Sequence, residues 1–482
     1  MNLLTISLEI LVVLLGLGFL LADFWVSPEH KPRLGFAAAA ALLGVFLLSF
    51  YLDGSPARYA FDDNYVLDSL SLFFKRFFLL TAIFVLVMAT EFAVCIRTGI
   101  VEYYSLIFFA LAGMMFAASA NNLAMLFVSL ETITVSFYVL VSCHRRRVRS
   151  LEAGAKYLIL GGLSTAVLVY GIALVSGASG TFRFEELAQK SATLIGRPVF
   201  SLGLLLILAA LGFKIAAFPF QIWTPDVYEG APAPTTAFLA VGSKAAGFVL
   251  LLRLFYCVLP SVGMNWEHLL MALAGITILY GNLCAIPQRN LKRLIGYSGI
   301  ANAGYLLMGV AAMTSAGSVA IIYYLSAYLF TVLAAFFVIC HVIVRSETED
   351  VTALAGLNRR SPLLAVTMTL AMASLAGIPP LAGFFGKFLL LKAVVEHPAV
   401  HPAYYWLAGV AVFGVVVSIY YYFNIIRAIY WSADPPEVAP IPLSIPSRIA
   451  IGLCCAGMLF LGLVPSPLIA IAEEAVKVLA PL

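Results

Sequence analysis

"GFKIAAFPFQIWTPDVYEGAPAPTTAFLAVGSKAAGF", Gly212 to Phe248, places two lysines, Lys214 and Lys244, inside sequence that otherwise reads as membrane. Each lysine costs about 2.5–3.5 kcal/mol at the centre of a transmembrane helix on insertion scales. The chain carries that cost twice in one stretch. Between the two lysines Pro219 interrupts the apolar run and leads into a polar, proline-rich segment. Gly212–Phe248 therefore reads as a broken membrane helix, a polar turn and a second span.

The rest of the chain fits this reading. Its 482 residues are 63% hydrophobic and 11% charged, with a mean hydropathy of +1.02. A soluble domain carries about 25% charged residues, so the chain is a polytopic membrane protein. A net charge of +4 is too small to imply a nucleic-acid partner. The seven cysteines (Cys95, Cys143, Cys257, Cys284, Cys340, Cys454 and Cys455) show no CxxC or CxxH spacing. That argues against a zinc, haem or iron–sulfur site and for inert packing thiols. Neither a GxGxxG turn nor a P-loop is present, so the chain holds no nucleotide by either device. The opening "MNLLTISLEILVVLLGLGFLLA" (1–22) lacks a basic start and contains Glu9, and reads as a retained helix.

Apolar stretches long enough for a ~30 Å hydrocarbon core fall at about 3–23, 34–52, 69–91, 103–119, 122–143, 151–177, 199–222, 232–257, 268–286, 291–312, 317–344, 362–396, 403–431 and 447–471. The seventh is broken at Pro219. The twelfth is too long for one span and is broken by "GIPPLAGFFG" (Gly377–Gly386), with Lys387 next. Lys31, Arg33, Arg97, Arg145, Arg146, Arg147, Arg149, Arg289, Lys292, Arg293, Arg345, Arg359, Arg360, Arg427 and Arg448 fall on one set of loops. The other set holds Arg58, Lys75, Arg76, Arg183, Lys190, Arg197 and Lys477. The asymmetry predicts both termini on the outer, positive side. A faint repeat accompanies the spans. "NNLAML" at 121–126 matches "RNLKRL" at 289–294, "KYLIL" at 156–160 matches "YYLSA" at 323–327, and Lys387 stands 173 residues after Lys214. Units of five helices must alternate in orientation, and inverted repeats with broken helices are a transporter architecture.

Ionisable residues inside spans are the candidates for chemistry. Glu131 lies mid-way along the fifth span, with Lys214, Lys244 and Lys387 in the seventh, eighth and twelfth. A lysine ammonium in low dielectric can give up and regain a proton, and contact with a carboxylate opposes that release. Making or breaking a Glu131–Lys214 contact would then switch the lysine. A fixed structural ion pair is the alternative. Lys156, at the start of the sixth span, suits either the inner mouth of a relay or a topology-setting charge. Loop charge alone accounts for Lys292 and for Arg145–Arg149, and Lys392 can snorkel outward. His341 is a proton-shuttle candidate by type. Asp226 and Glu229 suit an inner surface better than a metal site.

"FPFQIWTPDVYEGAPAPTTAFLAVGSKAAGF", "LETITVSFYVLV", "YLILGGLSTAVLVYGIALVSGASGT", "IPQRNLKRLIGYSGI" and "LAGIPPLAGFFGKFLLLKA" resemble, in order and spacing, the subunit N family of NADH–quinone oxidoreductase, complex I. The resemblance covers about residues 65–430. It implies an all-α polytopic membrane protein of about 14 transmembrane helices. That fold has a three-helix segment (1–95), two inverted five-helix repeats (103–257 and 268–431), each with a broken helix, and a C-terminal helix (447–482). It implies a proton relay of Glu131, Lys214, Lys244 and Lys387. It implies a location in the cell inner membrane among other membrane-arm subunits, including a neighbouring antiporter-like one. No cofactor is implied in this chain; NADH, FMN, iron–sulfur clusters and quinone belong to partner subunits.

One departure stands out. "YSGIANAGYLL" has Gly299 and Asn302 where the family usually has serine and histidine, so the middle of the axis lacks a titratable group. A water chain anchored on Asn302 would bridge it, or Asn302 simply bonds a neighbouring helix. Other readings stay open: a self-sufficient cation/proton antiporter, a non-pumping scaffold, and a membrane subunit of a ferredoxin- or hydrogenase-linked complex.

Overall fold

A computed structural model describes residues 3–96, 99–258, 263–346, 348–396, 402–431 and 439–479. Arg97 lies outside the described residues, as do 1–2 and 480–482 of the terminal segments. Helices α1 (Ser7–Ala22), α2 (Leu34–Leu48) and α3 (Ser69–Ile96) come first. Between α2 and α3 a two-stranded antiparallel hairpin forms from β1 (Arg58–Ala60) and β2 (Tyr65–Leu67). It marks one end of the bundle, the hairpin end. The opposite end carries Arg145–Arg149 and is the basic end.

Helices α4 (Ile100–Ala118), α5 (Leu123–Val141), α6 (Val148–Ser179), α7 (Phe184–Leu194), α8 (Pro198–Ile215) and α9 (Trp223–Gly230) follow. Next, α10 (Ala233–Phe238) and α11 (Lys244–Arg253) join through the π-helical turn Leu239–Ser243 into one span, Ala233–Val258. The chain then forms α12 (Gly263–Ala285), α13 (Leu291–Ala311), α14 (Ser315–Ser346), the short α15 (Leu357–Arg360), α16 (Pro362–Ala376) and α17 (Ala382–Val395). It closes with α18 (Pro402–Tyr430), α19 (Ile445–Leu463) and α20 (Ser466–Val476).

Among the described residues, thirteen helices are long and apolar enough to cross a membrane. The broken pair α16 and α17 takes the place of the single over-long twelfth stretch. Two segments differ from the sequence reading. Residues 184–194, read as loop, form α7, because Phe184, Leu187, Ser191 and Leu194 give it one buried face. The C-terminal segment 447–482, read as one helix, is two, α19 and α20, parted at Pro465.

The interior spans are α13 and α10–α11, whose apolar windows are 100% buried, with α14 at 89%. Helix α14 packs on α3, α13, α16, α17, α19 and α20. A helix so enclosed has no lipid face, so any polar group on it meets protein.

Several local features recur along the chain. Asn122 caps α5 by accepting from Met125 N at 2.6 Å, and Asn290 caps α13 by accepting from Arg293 N at 3.1 Å. Asn122 pairs with Arg183 and Asn290 with Asp350 as isolated bridges. Helices α6 and α14 each have 32 residues. The two breaks also share a geometry. Ala216 (φ 63°) and Gly377 (φ 84°) are left-handed caps, and the next amide reaches five residues back, Ala217 N to Gly212 O at 2.8 Å and Ile378 N to Ala373 O at 3.0 Å. Matched by their breaks, the halves are 161 residues apart, since Gly377 answers Ala216. Lys214 and Lys387, 173 apart, are therefore not at matched positions. Lys214 is the next-to-last residue of α8, before its break, whereas Lys387 lies in α17, after the second break.

A buried charge cluster ties these segments together at the basic end. Glu349 accepts from Lys292 Nζ at 3.0 Å, Arg147 at 2.5 Å and Asn290 Nδ2 at 3.1 Å, and Lys292 also donates to Ala231 O at 2.7 Å. Lys292 is 1% exposed, so it is a structural partner of Glu349 as well as a loop charge. Burial alone would raise the Glu349 carboxyl, but Lys292 and Arg147 together hold it below its usual value of 4.5. Its contribution is therefore complete above that value and is lost only as pH falls through the lowered one.

Glu349→Gln should destabilise the protein by about 3–5 kcal/mol, because Lys292 keeps its burial and loses its counter-charge. Thermal unfolding in detergent checks this, with the Glu349 contribution unchanged between about pH 5 and 8. At Gly377, an added Cβ meets Lys387 Cδ at an ordinary 3.5 Å, so only the left-handed φ resists it. Gly377→Ala should cost about 1–2 kcal/mol in the same assay, whereas Ala216→Gly should be neutral or stabilising.

Candidate functional site

Lys214 is 6% exposed, and its ammonium donates to Thr134 Oγ1 at 2.9 Å. Thr134 stands one turn after Glu131 on α5, on the same face. Glu131 is half-buried and accepts from Thr165 Oγ1 of α6 at 2.6 Å. The two charges form no ion pair within 4.0 Å. They share instead a cavity of about 20 Å³ lined by Leu130, Thr134, Thr165, Ala210 and Phe213, a volume that admits one water. The expected Glu131–Lys214 pair is thus open here, with a threonine hydroxyl holding the lysine.

Lys244 opens α11 directly after the π turn and is 2% exposed. It donates to Gly299 O at 2.6 Å and lies 5.5 Å from the Tyr328 ring centroid. A Cβ on Gly299 would stand 3.1 Å from Lys244 Nζ and 3.4 Å from the Tyr328 hydroxyl. Gly299 therefore lets the ammonium approach the backbone of α13 closely.

Asn302, one turn beyond Gly299, is buried. Its Oδ1 accepts from the Tyr324 hydroxyl at 2.6 Å, and its Nδ2 donates to Ser298 Oγ at 3.4 Å. Ser298 in turn bonds the Tyr422 hydroxyl. The amide is thus engaged by side chains of α13 and α14, the bond to a neighbouring helix that was the second of the two readings of Asn302.

Lys387 is buried, and its Nζ donates to Leu375 O at 2.6 Å and lies 5.0 Å from the Tyr305 ring centroid. Leu375 is the residue that answers Lys214 when the breaks are matched. Its carbonyl is freed by the end of α16, and Lys387 reaches back across the break to take it. Lys387 thus returns its ammonium to the backbone position that answers Lys214, whereas the Lys214 ammonium itself lies on Thr134 of α5.

The lower-ranked candidates fall elsewhere. Lys156 lies at the basic end, bonded to Asp226 and Glu152, each at 2.7 Å. Asp226 also meets Arg293 at 2.5 Å, and Glu229 meets Arg293 at 3.1 Å and Arg149 at 3.4 Å. Burial would raise the Asp226 carboxyl, but its bonds to Lys156 and Arg293 hold it below its usual value. Asp226 and Glu229 are a charged surface joining α6, α9 and α13. His341 is buried near the basic end of α14. Its Nδ1 bonds Phe337 O at 2.8 Å, and Nε2 has no partner among the described residues. The structure does not bring it to the lysines.

The residues missed by sequence are mostly hydroxyls: Thr134, Thr165, Ser298, Tyr324, Tyr328 and Tyr422. The spacing of Thr134 from Glu131 was a usable signal. The tyrosines carried none, because a buried tyrosine is an ordinary packing residue.

The family described as NADH:quinone oxidoreductase/Mrp antiporter, TM, matches residues 120–418. NADH-quinone oxidoreductase subunit N of Heliobacterium modesticaldum is 39% identical over 99% of both chains. Its counterpart in Moorella thermoacetica is 38% identical over 97% of each. Among solved structures, a chain of respiratory complex I from Thermus thermophilus with bound aureothin matches at TM-score 0.79 and 31% identity, covering 96% of this chain and 98% of that one. A chain of the Mrp complex from Dietzia sp. matches at TM-score 0.84 but 20% identity, over 99% and 98%, and shares the fold. With that likeness running end to end, the chain belongs to the subunit N family of NADH-quinone oxidoreductase and is a proton-translocating membrane subunit of complex I.

Proposed function

We propose that Lys214, Lys244 and Lys387 carry the proton through this subunit, with Glu131 as the switch on Lys214. The observation that carries the reading is the set of ammonium partners. All three bond neutral oxygens, Thr134 Oγ1, Gly299 O and Leu375 O, and none contacts a carboxylate. Elsewhere the buried Lys75, Arg253 and Lys292 are each matched with an acid. A lysine bonded only to neutral groups is poised to change its protonation state when a charge approaches.

Protons enter from the charged surface around Lys156 and Asp226. Glu131 moving onto Lys214 holds the proton there, and its return to Thr165 lets the proton leave for Lys244. Between Lys244 and Lys387 the hydroxyls of Ser298, Tyr422 and Tyr324, with the Asn302 amide, form the polar connection that a titrating side chain would otherwise supply. His341 stands outside this route. Units 103–257 and 268–431 act as inverted repeats, supported by the paired asparagine caps and breaks. Electrons pass from NADH through FMN and iron–sulfur clusters to quinone in partner subunits. The protein works as part of that translocase in the cell inner membrane, with the hairpin end and both termini on the outer side.

Lys214→Ala should abolish or sharply reduce proton pumping by the assembled complex, and Lys214→Arg, which holds its proton, should impair it too. Full pumping by Lys214→Arg with normal assembly would reduce the lysine to a fixed charge. Asn302→Leu and Tyr324→Phe should each lower the protons moved per electron without slowing assembly, while Asn302→His keeps or raises them. A wild-type ratio in both Asn302→Leu and Tyr324→Phe would remove the middle section from the route.

A further inference from the structure

Outside the axis, the hairpin end holds a second group of buried charges. Lys75 of α3 is 0% exposed and Glu9 of α1 1%. The sequence placed Lys75 among loop charges, but the structure buries it. Lys75 Nζ contacts Glu9 Oε1 at 3.0 Å and the Tyr65 hydroxyl at 2.6 Å, and that hydroxyl reaches the same Glu9 oxygen at 2.9 Å. The three groups form a closed triangle from α1, β2 and α3. Beside it lies Asp68, bonded through both oxygens to Arg253 at 2.9 and 3.0 Å, with Arg253 Nε on Ala118 O at 2.9 Å. These are the charges that face Lys75: Glu9 from α1, Asp68 from the turn before α3, and Arg253 from α11.

The two pairs differ in kind. Arg253 keeps its proton under all ordinary conditions and forks onto Asp68, so that pair is a fixed tie. Lys75 can release a proton, and the Tyr65 hydroxyl bonds both it and the carboxylate, beside their direct contact. A transfer along the triangle balances with no other reactant. A Lys75 N–H bond breaks as a Tyr65 O–H bond forms, and the original Tyr65 O–H breaks as a Glu9 O–H bond forms. The ion pair becomes an amine and a carboxylic acid. Tyr65 returns unchanged, and burial with the Glu9 charge beside it pushes its own ionisation far up, so it relays without staying ionised.

The cluster also keeps unspent capacity. Glu9 Oε2 and Thr5 Oγ1, both buried, have no hydrogen-bond partner among the described residues. A buried carboxylate oxygen left bare is costly unless it is at times protonated or hydrated. Leu4, next to Thr5, is 67% exposed, so the cluster reaches to within a residue of the surface. Arg253 ends α11, the helix that Lys244 begins.

We infer that Glu9, Tyr65 and Lys75 form a proton-holding site at the hairpin end: the acid formed on Glu9 gives its proton to water at that surface, and the Lys75 amine takes one back from the first five-helix unit. The inference rests on the proton-translocating reading above. The competing role is a clasp that only docks α1 and α3.

The test uses the assembled complex in proteoliposomes, with protons moved per NADH and quinone reduction read separately. Lys75→Arg keeps the charge and blocks release, and Glu9→Gln with Lys75→Met keeps the volumes and removes both charges. Assembled complexes of either kind should move fewer protons per NADH at unchanged quinone reduction. A clasp is content with either variant, so a wild-type ratio in both overturns the inference. Where these do not assemble, Tyr65→Phe decides. It keeps the ring beside the ammonium and removes only the relaying hydroxyl, so a lowered ratio supports the site and an unchanged ratio overturns it. Lys214→Ala measured alongside separates the two ideas. Its loss of pumping with a normal Lys75→Arg leaves the axis standing and removes this site, whereas full pumping by Lys214→Ala removes the axis.

Discussion

The three mid-span lysines all sit beside an irregular stretch of helix. In a hydrocarbon interior the backbone groups are mostly spent within the helices, so a lysine there must find a freed carbonyl, a carbonyl's second lone pair or a side-chain hydroxyl. Each axis lysine meets that constraint at an irregularity. Lys214 ends a helix just before its break, Lys244 follows a π turn, and Lys387 uses a carbonyl that a second break releases. The proline and glycine segments that look like interruptions in the sequence are thus the feature that admits the charge. Lys244 lies on the enclosed span α10–α11, and its carbonyl partner Gly299 on the enclosed α13, so this charge has no lipid face.

The chain contains two classes of buried charge, and they divide by place. At the ends of the bundle charges are matched: Glu349 with Lys292 and Arg147 at the basic end, Asp68 with Arg253 and Glu9 with Lys75 at the hairpin end. Along the middle the lysines have only neutral partners. Matched pairs resist disruption, since removing one partner strands the other. They hold the helix ends where the middle needs them. Neutral partners give the lysines no such hold.

Much of this was legible in the sequence. Composition and span length gave the class, and the lysines announced themselves by their cost in apolar runs. Glu131 was legible for the same reason. What was not legible was contact. The spacing of Glu131 and Lys214 says that their helices are neighbours, but whether the carboxylate meets the ammonium depends on side-chain rotamers, and Thr134 and Thr165 take the bonds. Lys75 and Lys292 were misread because position relative to a span edge says nothing about what packs over it. Asn302 was read as polar and mid-helix, but its tyrosine partner, Tyr324, comes from α14, and no local pattern predicts it.

The repeat shows why function and sequence position part company. Counting between lysines gives 173 residues, and counting between breaks gives 161. Both numbers are informative, because they measure different things. The break is a backbone event, fixed by a left-handed cap, and it cannot slide without rebuilding two helices. The lysine is a long, flexible stem with its charge at the tip, and it can start from either side of a break and still keep the ammonium beside it. Lys387 does this from α17, where its tip reaches back to Leu375, the residue that answers Lys214. The charge stays near the break while its place in the sequence moves. An alignment that matches residue to residue would miss the equivalence, and one that matches backbone breaks and asks what each side chain can reach recovers it.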